Sequence, residues 1–257
     1  MSKSKHAIFQ FYVPSNDIGK LRHYRGVDEM PEWCKRSILY FQHYAKAHDA
    51  DHFFMEDRFV GSISNYFEKC RVYLDPMFDE YDKVLYVDID VIPKNMDNNI
   101  FNIDPQDVAG VEEQHHPAYR NKKLNWTVKD IERRFNAFGA PVVRANHNNS
   151  WPRMINSGVM LWSREARMKA RHCFDNYDDW FQFKNSILDE SVKGWGHSSH
   201  CLDQPFFNAM FNKYKFNVNT LPIDWNRFPT DDENYPCNFA HYTQETRYNI
   251  PERFPEL

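Results

Sequence analysis

Glycine is scarce in this chain, eight residues in 257, and only one falls in the VPSNDIGK segment that follows the first apolar stretch. A phosphate cradle of clustered glycines and basic residues is therefore missing from the place where a nucleotide-binding loop would carry one. The five cysteines, Cys34, Cys70, Cys173, Cys201 and Cys237, are odd in number, scattered and without a CxxC pair. That excludes a disulfide framework and a zinc-ribbon pattern and points to reduced thiols in a cytoplasmic compartment. No apolar run approaches the roughly 18 residues of a membrane helix, and the MSKSKHAIF start lacks the apolar core of a signal peptide. Positive charge is not in excess either: the net charge of −4 argues against nucleic acid as a general partner. Internal repeats and low-complexity linkers are absent, so residues 1–257 read as one domain.

What is present is an α/β alternation. His6 to Val13 reads as a strand stopped by Pro14 and the turn-formers Ser15, Asn16 and Asp17. Pro31 opens a helix running to His48, Asp51 to Met55 is a second strand, Ser62 to Leu74 a second helix, and Val84 to Val87 a third strand. Strand, helix and strand in this order imply right-handed crossovers and a Rossmann-like, mainly parallel central sheet flanked by helices. Ligands of such sheets sit beyond the carboxyl ends of the strands. Residues 112–151 then break the pattern with a polar, aromatic insertion that includes a short helix over Val128 to Phe138. Order returns at Met154 to Trp162, followed by helices over Glu165–Phe183 and Asp203–Tyr214 and strands near Phe216–Thr220 and Cys237–His241.

The third strand carries the chemistry. YDKVLYVDIDVIP delivers Asp88 and Asp90 at the end of an apolar run, with Ile89 between them. Strand alternation would turn both carboxylates to one face and Ile89 to the other. Two acids so placed repel each other and lose hydration unless a cation joins them. A hard divalent ion, Mg²⁺ or Mn²⁺, suits oxygen ligands and is commonly shared with substrate phosphates. Two solvated acids in a turn before Pro93 is the competing reading.

DKVLYVDID, MINSGVML (154–161), CLDQPFFNAM (201–210) and FAHYTQETR (239–247) together resemble, in order and spacing, the GT-A glycosyltransferases of family 8, the group of glycogenin and bacterial galactosyltransferases. The resemblance spans Ala7 to about Arg247. It implies a GT-A fold, a UDP-sugar donor, Mn²⁺ or Mg²⁺, and transfer of a hexosyl or pentosyl unit with retention to a glycan or other hydroxyl acceptor. By the same resemblance Asp88, Asp90 and His241 are metal ligands, and Ile89 lies with them at the nucleotide. Arg71 approaches the donor, with Lys69 competing for that role. Asn156 and Ser157 bind the donor sugar, and Asp203 and Gln204 lie under it. The family's glycine and lysine after the late histidine are replaced by Gln244 and Arg247, the latter still able to neutralise phosphate. Ser15, Asn16 and Asp17 match the uridine turn loosely. Nucleotide binding is thus expected mainly in residues 7–110 and the sugar and acceptor side in 111–247, with residues 112–151 bordering the acceptor. The alternatives are a sugar-nucleotidyltransferase, which the glycine-poor VPSNDIGK disfavours, and a silent carbohydrate-binding relative.

Overall fold

The computed structural model describes residues 4–13, 30–61, 65–113, 125–145, 148–180, 203–229 and 236–252. Ser15, Asn16 and Asp17 lie outside them, as do His115, His116, Tyr119, Asn146 and His147 of the insertion. In chain order the strands and helices begin with β1 (His6–Phe11), α1 (Glu32–Ala47), β2 (Asp51–Met55), α2 (Arg71–Leu74), β3 (Lys83–Val87), β4 (Val91–Pro93) and β5 (Val108–Glu112). They continue with α3 (Asn125–Ala137), β6 (Arg144–Ala145), β7 (Asn148–Pro152), β8 (Ile155–Ser163), α4 (Arg164–Cys173), α5 (Asp203–Lys213), β9 (Val218–Leu221) and β10 (Phe239–His241).

The apolar runs of β1, β3 and β8 assemble the centre of a six-stranded sheet ordered β2-β1-β3-β8-β5-β9. β1 is parallel to both β2 and β3, and β5 is parallel to β9; β8 runs antiparallel to its two neighbours. One apolar layer packs Phe9, Phe67, Phe78, Tyr86, Trp162 and Phe206 on one face of the sheet. The opposite face is closed by Ile8, Phe41, Tyr44, Leu85, Leu161 and Phe239. β8 is buried along its whole length, and its Val159–Trp162 stretch is accordingly a continuous apolar run.

Three local expectations change. The Ser62–Leu74 helix is a 3₁₀ helix over Asn65–Cys70 followed by the single turn of α2. Glu165–Phe183 is not one helix: α4 ends at Cys173. The competing reading of a bare turn before Pro93 is incomplete, because Pro93 ends a short strand: β4 pairs antiparallel with β10, matching Val91 to His241 and Pro93 to Phe239. Proline is tolerated at such a strand end because no interior ladder bond is lost. This small second sheet is what carries the late histidine to the Asp88–Asp90 segment.

Candidate active site

The acids converge by a turn, not by strand alternation. β3 stops at Val87, and Val91 N donates to Asp88 O at 3.0 Å, so Asp88 to Val91 close a tight turn between β3 and β4. Asp88 N donates to Gly158 O on β8, and Tyr242 N donates to Asp90 O, which fixes the turn from both sides. Ile89, between the acids, is half-buried against the apolar cluster that includes Trp33, Cys34 and Tyr242.

Asp88, Asp90 and His241 each turn a ligand atom toward a common point, all within 4.8 Å of one another. His241 Nε2 is 3.2 Å from Asp90 Oδ1 and 4.0 Å from Asp88 Oδ2. Asp90 and His241 are buried, while the Asp88 side chain keeps 25% of its surface and opens the cluster to solvent. Gly158 makes room for the cluster. A Cβ there would lie 2.5 Å from His241 Cε1 and 2.9 Å from both Asp88 Oδ2 and Asn156 Oδ1. Two carboxylates and one imidazole form a donor set suited to Mn²⁺ or Mg²⁺, the nitrogen favouring the former.

Charge alone does not demand a metal, since the protein brings its own cations. Lys69 Nζ lies 2.6 Å from Asp203 Oδ2 and 3.0 Å from Asp88 Oδ1, and it also reaches Ser157 O and Oγ at 3.3 and 3.2 Å. Burial would push its ammonium pKa down, but Asp203 and Asp88 overcome this and raise it. Arg247 sets Nε and Nη2 on Asp90 Oδ2 at 2.7 and 2.6 Å, with its guanidinium over the Trp33 ring. Burial alone would raise the Asp90 carboxyl; Arg247 and His241 outweigh it and hold the group well below the usual carboxylate range. The Tyr86 hydroxyl donates to Asp88 Oδ1, and burial followed by that carboxylate drives the phenol pKa up.

Beside the Asp88–Asp90–His241 cluster lies a second acid group. Asp203, first residue of α5, accepts from Ser157 Oγ at 2.7 Å. Gln204 Nε2 donates to Glu113 Oε2 at 3.0 Å, and its Oε1 faces Ser157 N at 3.4 Å. Asn156 commits its amide to protein partners, donating to Glu113 Oε2 at 2.8 Å and accepting from Gly158 N and Asn226 Nδ2 at 2.8 and 2.9 Å. The structure thus brings together Asp88, Asp90, Asn156, Ser157, Asp203, Gln204, His241 and Arg247.

Arg71 is not among them. Its Nε pairs with Asp75 at 2.9 Å and its Nη1 with Asp57 at 3.0 Å, and it covers the Phe59 ring. Lys69 is the basic residue at the acids instead: it lies in the 3₁₀ turn while Arg71 opens α2, and the two side chains point to different sides. Glu113 and Asn226 were not foreseen. Glu113 had a signal, since VAGVEE is a second apolar strand ending in acids; the lone Asn226 after Trp225 had none.

Residues 21–250 match the family model described as glycosyl transferase family 8. No curated protein matches the chain. Among solved structures, the WbbM bifunctional glycosyltransferase aligns with TM-score 0.53 and 13% identity over 95% of this chain and 46% of its own, so this chain spans about half of that protein. A glycosyltransferase involved in glycosylation of the major capsid of PBCV-1 aligns at 0.50 and 12% identity, covering 96% of this chain and 98% of that one. An active-site mutant of LgtC aligns at 0.50 and 13% identity, covering 92% and 86%. At such identities these likenesses show the shared fold, that of the GT-A glycosyltransferases.

Proposed function

Since the chain belongs to glycosyl transferase family 8, we propose that it moves a hexosyl or pentosyl unit from a UDP-sugar to a glycan or other hydroxyl acceptor, with retention and with Mn²⁺ or Mg²⁺. The observation that carries this reading is the Asp88–Asp90–His241 cluster, gathered around Gly158 where β3 ends. When bound there, a divalent ion would offset the diphosphate charge that grows as the glycosyl–phosphate bond breaks. Asp88, Asp90 Oδ1 and His241 Nε2 would hold it. Arg247, already beside Asp90, supplies a planar cationic fork to the same leaving group.

The sugar would lie against Asp203 and Gln204. Asp203 would face a centre with oxocarbenium character, and Lys69 Nζ pairs with its carboxylate at 2.6 Å. Glu113 Oε2 accepts from Gln204 Nε2 and so sets the direction of the Gln204 amide. Ser157 joins Lys69 to Asp203 through its hydroxyl. No general base is assigned, because the leaving phosphate can accept the acceptor's proton in a retaining transfer. Ser15, Asn16 and Asp17 are proposed at the uridine and Ile89 beside it; Arg71, expected to approach the donor, is instead paired with Asp75 and Asp57. Residues 7–110 would serve mainly the nucleotide and 111–247 the sugar and acceptor, within one domain. Residues 112–151 are proposed to border the acceptor.

The test is a thermal-shift series with UDP and UDP-sugars, with and without Mn²⁺, on the wild type and on Asp90→Asn. A ligand that binds only the folded protein raises Tm. The wild type should show a UDP shift that needs Mn²⁺, and Asp90→Asn should lose both the shift and donor turnover. An equal shift and equal turnover in the variant at saturating Mn²⁺ would sink the metal assignment.

A further inference from the structure

His241 can ligate a cation through Nε2 only if Nδ1 carries the ring proton, whereas an unconstrained neutral imidazole favours the Nε2–H form. The chain contains a device for holding the required form. His241 Nδ1 lies 2.9 Å from Asn226 Oδ1, and Asn226 is completely buried. An amide can face a ring nitrogen with either end, so what matters is what fixes the amide.

Asn226 Nδ2 donates to Asn156 Oδ1 at 2.9 Å. Asn156 is fixed by a group that cannot reverse its role: Gly158 N can only donate, and it points at Asn156 Oδ1. Glu113 Oε2 takes the other end of the amide, accepting from Asn156 Nδ2. Turning either amide over would set donor against donor or acceptor against acceptor at buried positions, at about 1–3 kcal/mol for each orphaned group. With Asn156 locked, Asn226 must present its amino group to it and its oxygen to the imidazole.

The backbone holds Asn226 in place. The 3₁₀ turn Ile223–Trp225 leads into it, Arg227 N donates to Phe239 O, and His241 N donates to Arg227 O, so this segment lies along β10. Phe228 covers the imidazole, with ring centroids 5.3 Å apart. We infer that Asn226 is a positioning residue: through the relay Glu113–Asn156–Asn226 it keeps the proton on His241 Nδ1 and aims the Nε2 lone pair at the space shared with Asp88 and Asp90. The inference rests on reading His241 as a metal ligand. It also joins the two halves of the site, because Glu113 holds Gln204 as well as Asn156.

The experiment uses the full chain with ¹⁵N-labelled histidine. Long-range ¹H–¹⁵N spectra are recorded without metal and with diamagnetic Mg²⁺, beside calorimetric titration with Mn²⁺ in the absence of donor. The wild type should show a slowly exchanging His241 Nδ1–H in both spectra. Asn226→Ala should lose that resonance and bind Mn²⁺ about 10- to 100-fold more weakly, the range for residues that orient metal ligands. Asn226→Asp keeps an acceptor for Nδ1–H while giving up the donor to Asn156, so it should retain the resonance and bind Mn²⁺ within a few-fold of wild type. A role confined to supporting Asn156 predicts instead that Asp is as harmful as Ala, and that result overturns the inference, as does an Ala variant with the resonance and affinity intact. If the Ala variant does not fold, loss of the resonance in Asn226→Asp overturns it equally. Failure of the wild type to bind Mn²⁺ refutes the metal reading alone, and the spectra still decide the role of Asn226.

Discussion

Replacing Gly158 with alanine puts a methyl group into the space where Asp88, Asn156 and His241 meet. Its Cβ would sit 2.5 Å from His241 Cε1 and 2.9 Å from Asp88 Oδ2 and Asn156 Oδ1. Reaching ordinary contact requires the imidazole to retreat by ~1 Å. That retreat is opposed by the Asn226 hydrogen bond and by Phe228 on the ring face. Asp88 is tied in turn to Lys69 and Tyr86. Overpacking of this kind costs about 1–3 kcal/mol. The larger effect falls on the cation, because metal–ligand distances tolerate only about 0.2 Å, so a ~1 Å shift should weaken binding on the order of 100-fold. Urea unfolding with and without Mn²⁺ separates the two effects. At a Mn²⁺ concentration 100 times the wild-type Kd, the wild type should gain about 2.7 kcal/mol and the variant only about 0.4 kcal/mol. A Gly158→Ala protein that loses less than ~0.5 kcal/mol without metal and keeps the full Mn²⁺ increment would refute both the steric argument and the site.

Two other perturbations probe the charges. Lys69→Met leaves Asp88 and Asp203 without their shared ammonium and should cost about 3–5 kcal/mol in metal-free urea unfolding, with Mn²⁺ restoring part of it; a loss under ~1 kcal/mol would show the acids are compensated otherwise. His52, whose Nε2 meets Gln10 Oε1, has its pKa lowered to about 4 by burial. A base depressed in the folded state contributes stability that is complete above its ordinary pKa near 6.5 and is lost as pH falls from there toward 4, by at most ~3 kcal/mol. His52→Gln should therefore flatten the stability profile between pH 7 and 4, and an unchanged acid limb would remove His52 from the account.

Much of the sheet was legible because burial writes itself into sequence. HAIFQF, KVLYV and the stretch from Val159 to Trp162 are apolar since both faces of those strands are covered. Asp88 and Asp90 stand out because two acids at the end of an apolar run need a reason, whereas His241 is reached only through the resemblance to family 8. The phase of a helix is harder to read. Residues 65–74 change from a 3₁₀ to an α winding, so counting from the helix start could not tell whether Lys69 or Arg71 meets Asp88. The Asp88–Val91 turn gave the same convergence that alternation had suggested, for a different physical reason. Asn226 was invisible, since its role depends on which amide end meets which neighbour, a matter of three-dimensional partners.

Arg247 and Asp90 form one ion pair across 157 residues of sequence. At synthesis rates of 5–20 residues per second, roughly 8–30 s separate their emergence from a ribosome. Asp203, Asn226 and His241 also emerge long after Asp88 and Asp90, so the proposed site is complete only once nearly the whole chain is made. A ligand held by both His241 and the acids would therefore favour chains in which β10 is paired with β4. Donor or Mn²⁺ added to a folding-impaired variant should accordingly rescue defects that loosen the finished protein, while leaving untouched those that stall the joining of β1, β3 and β8.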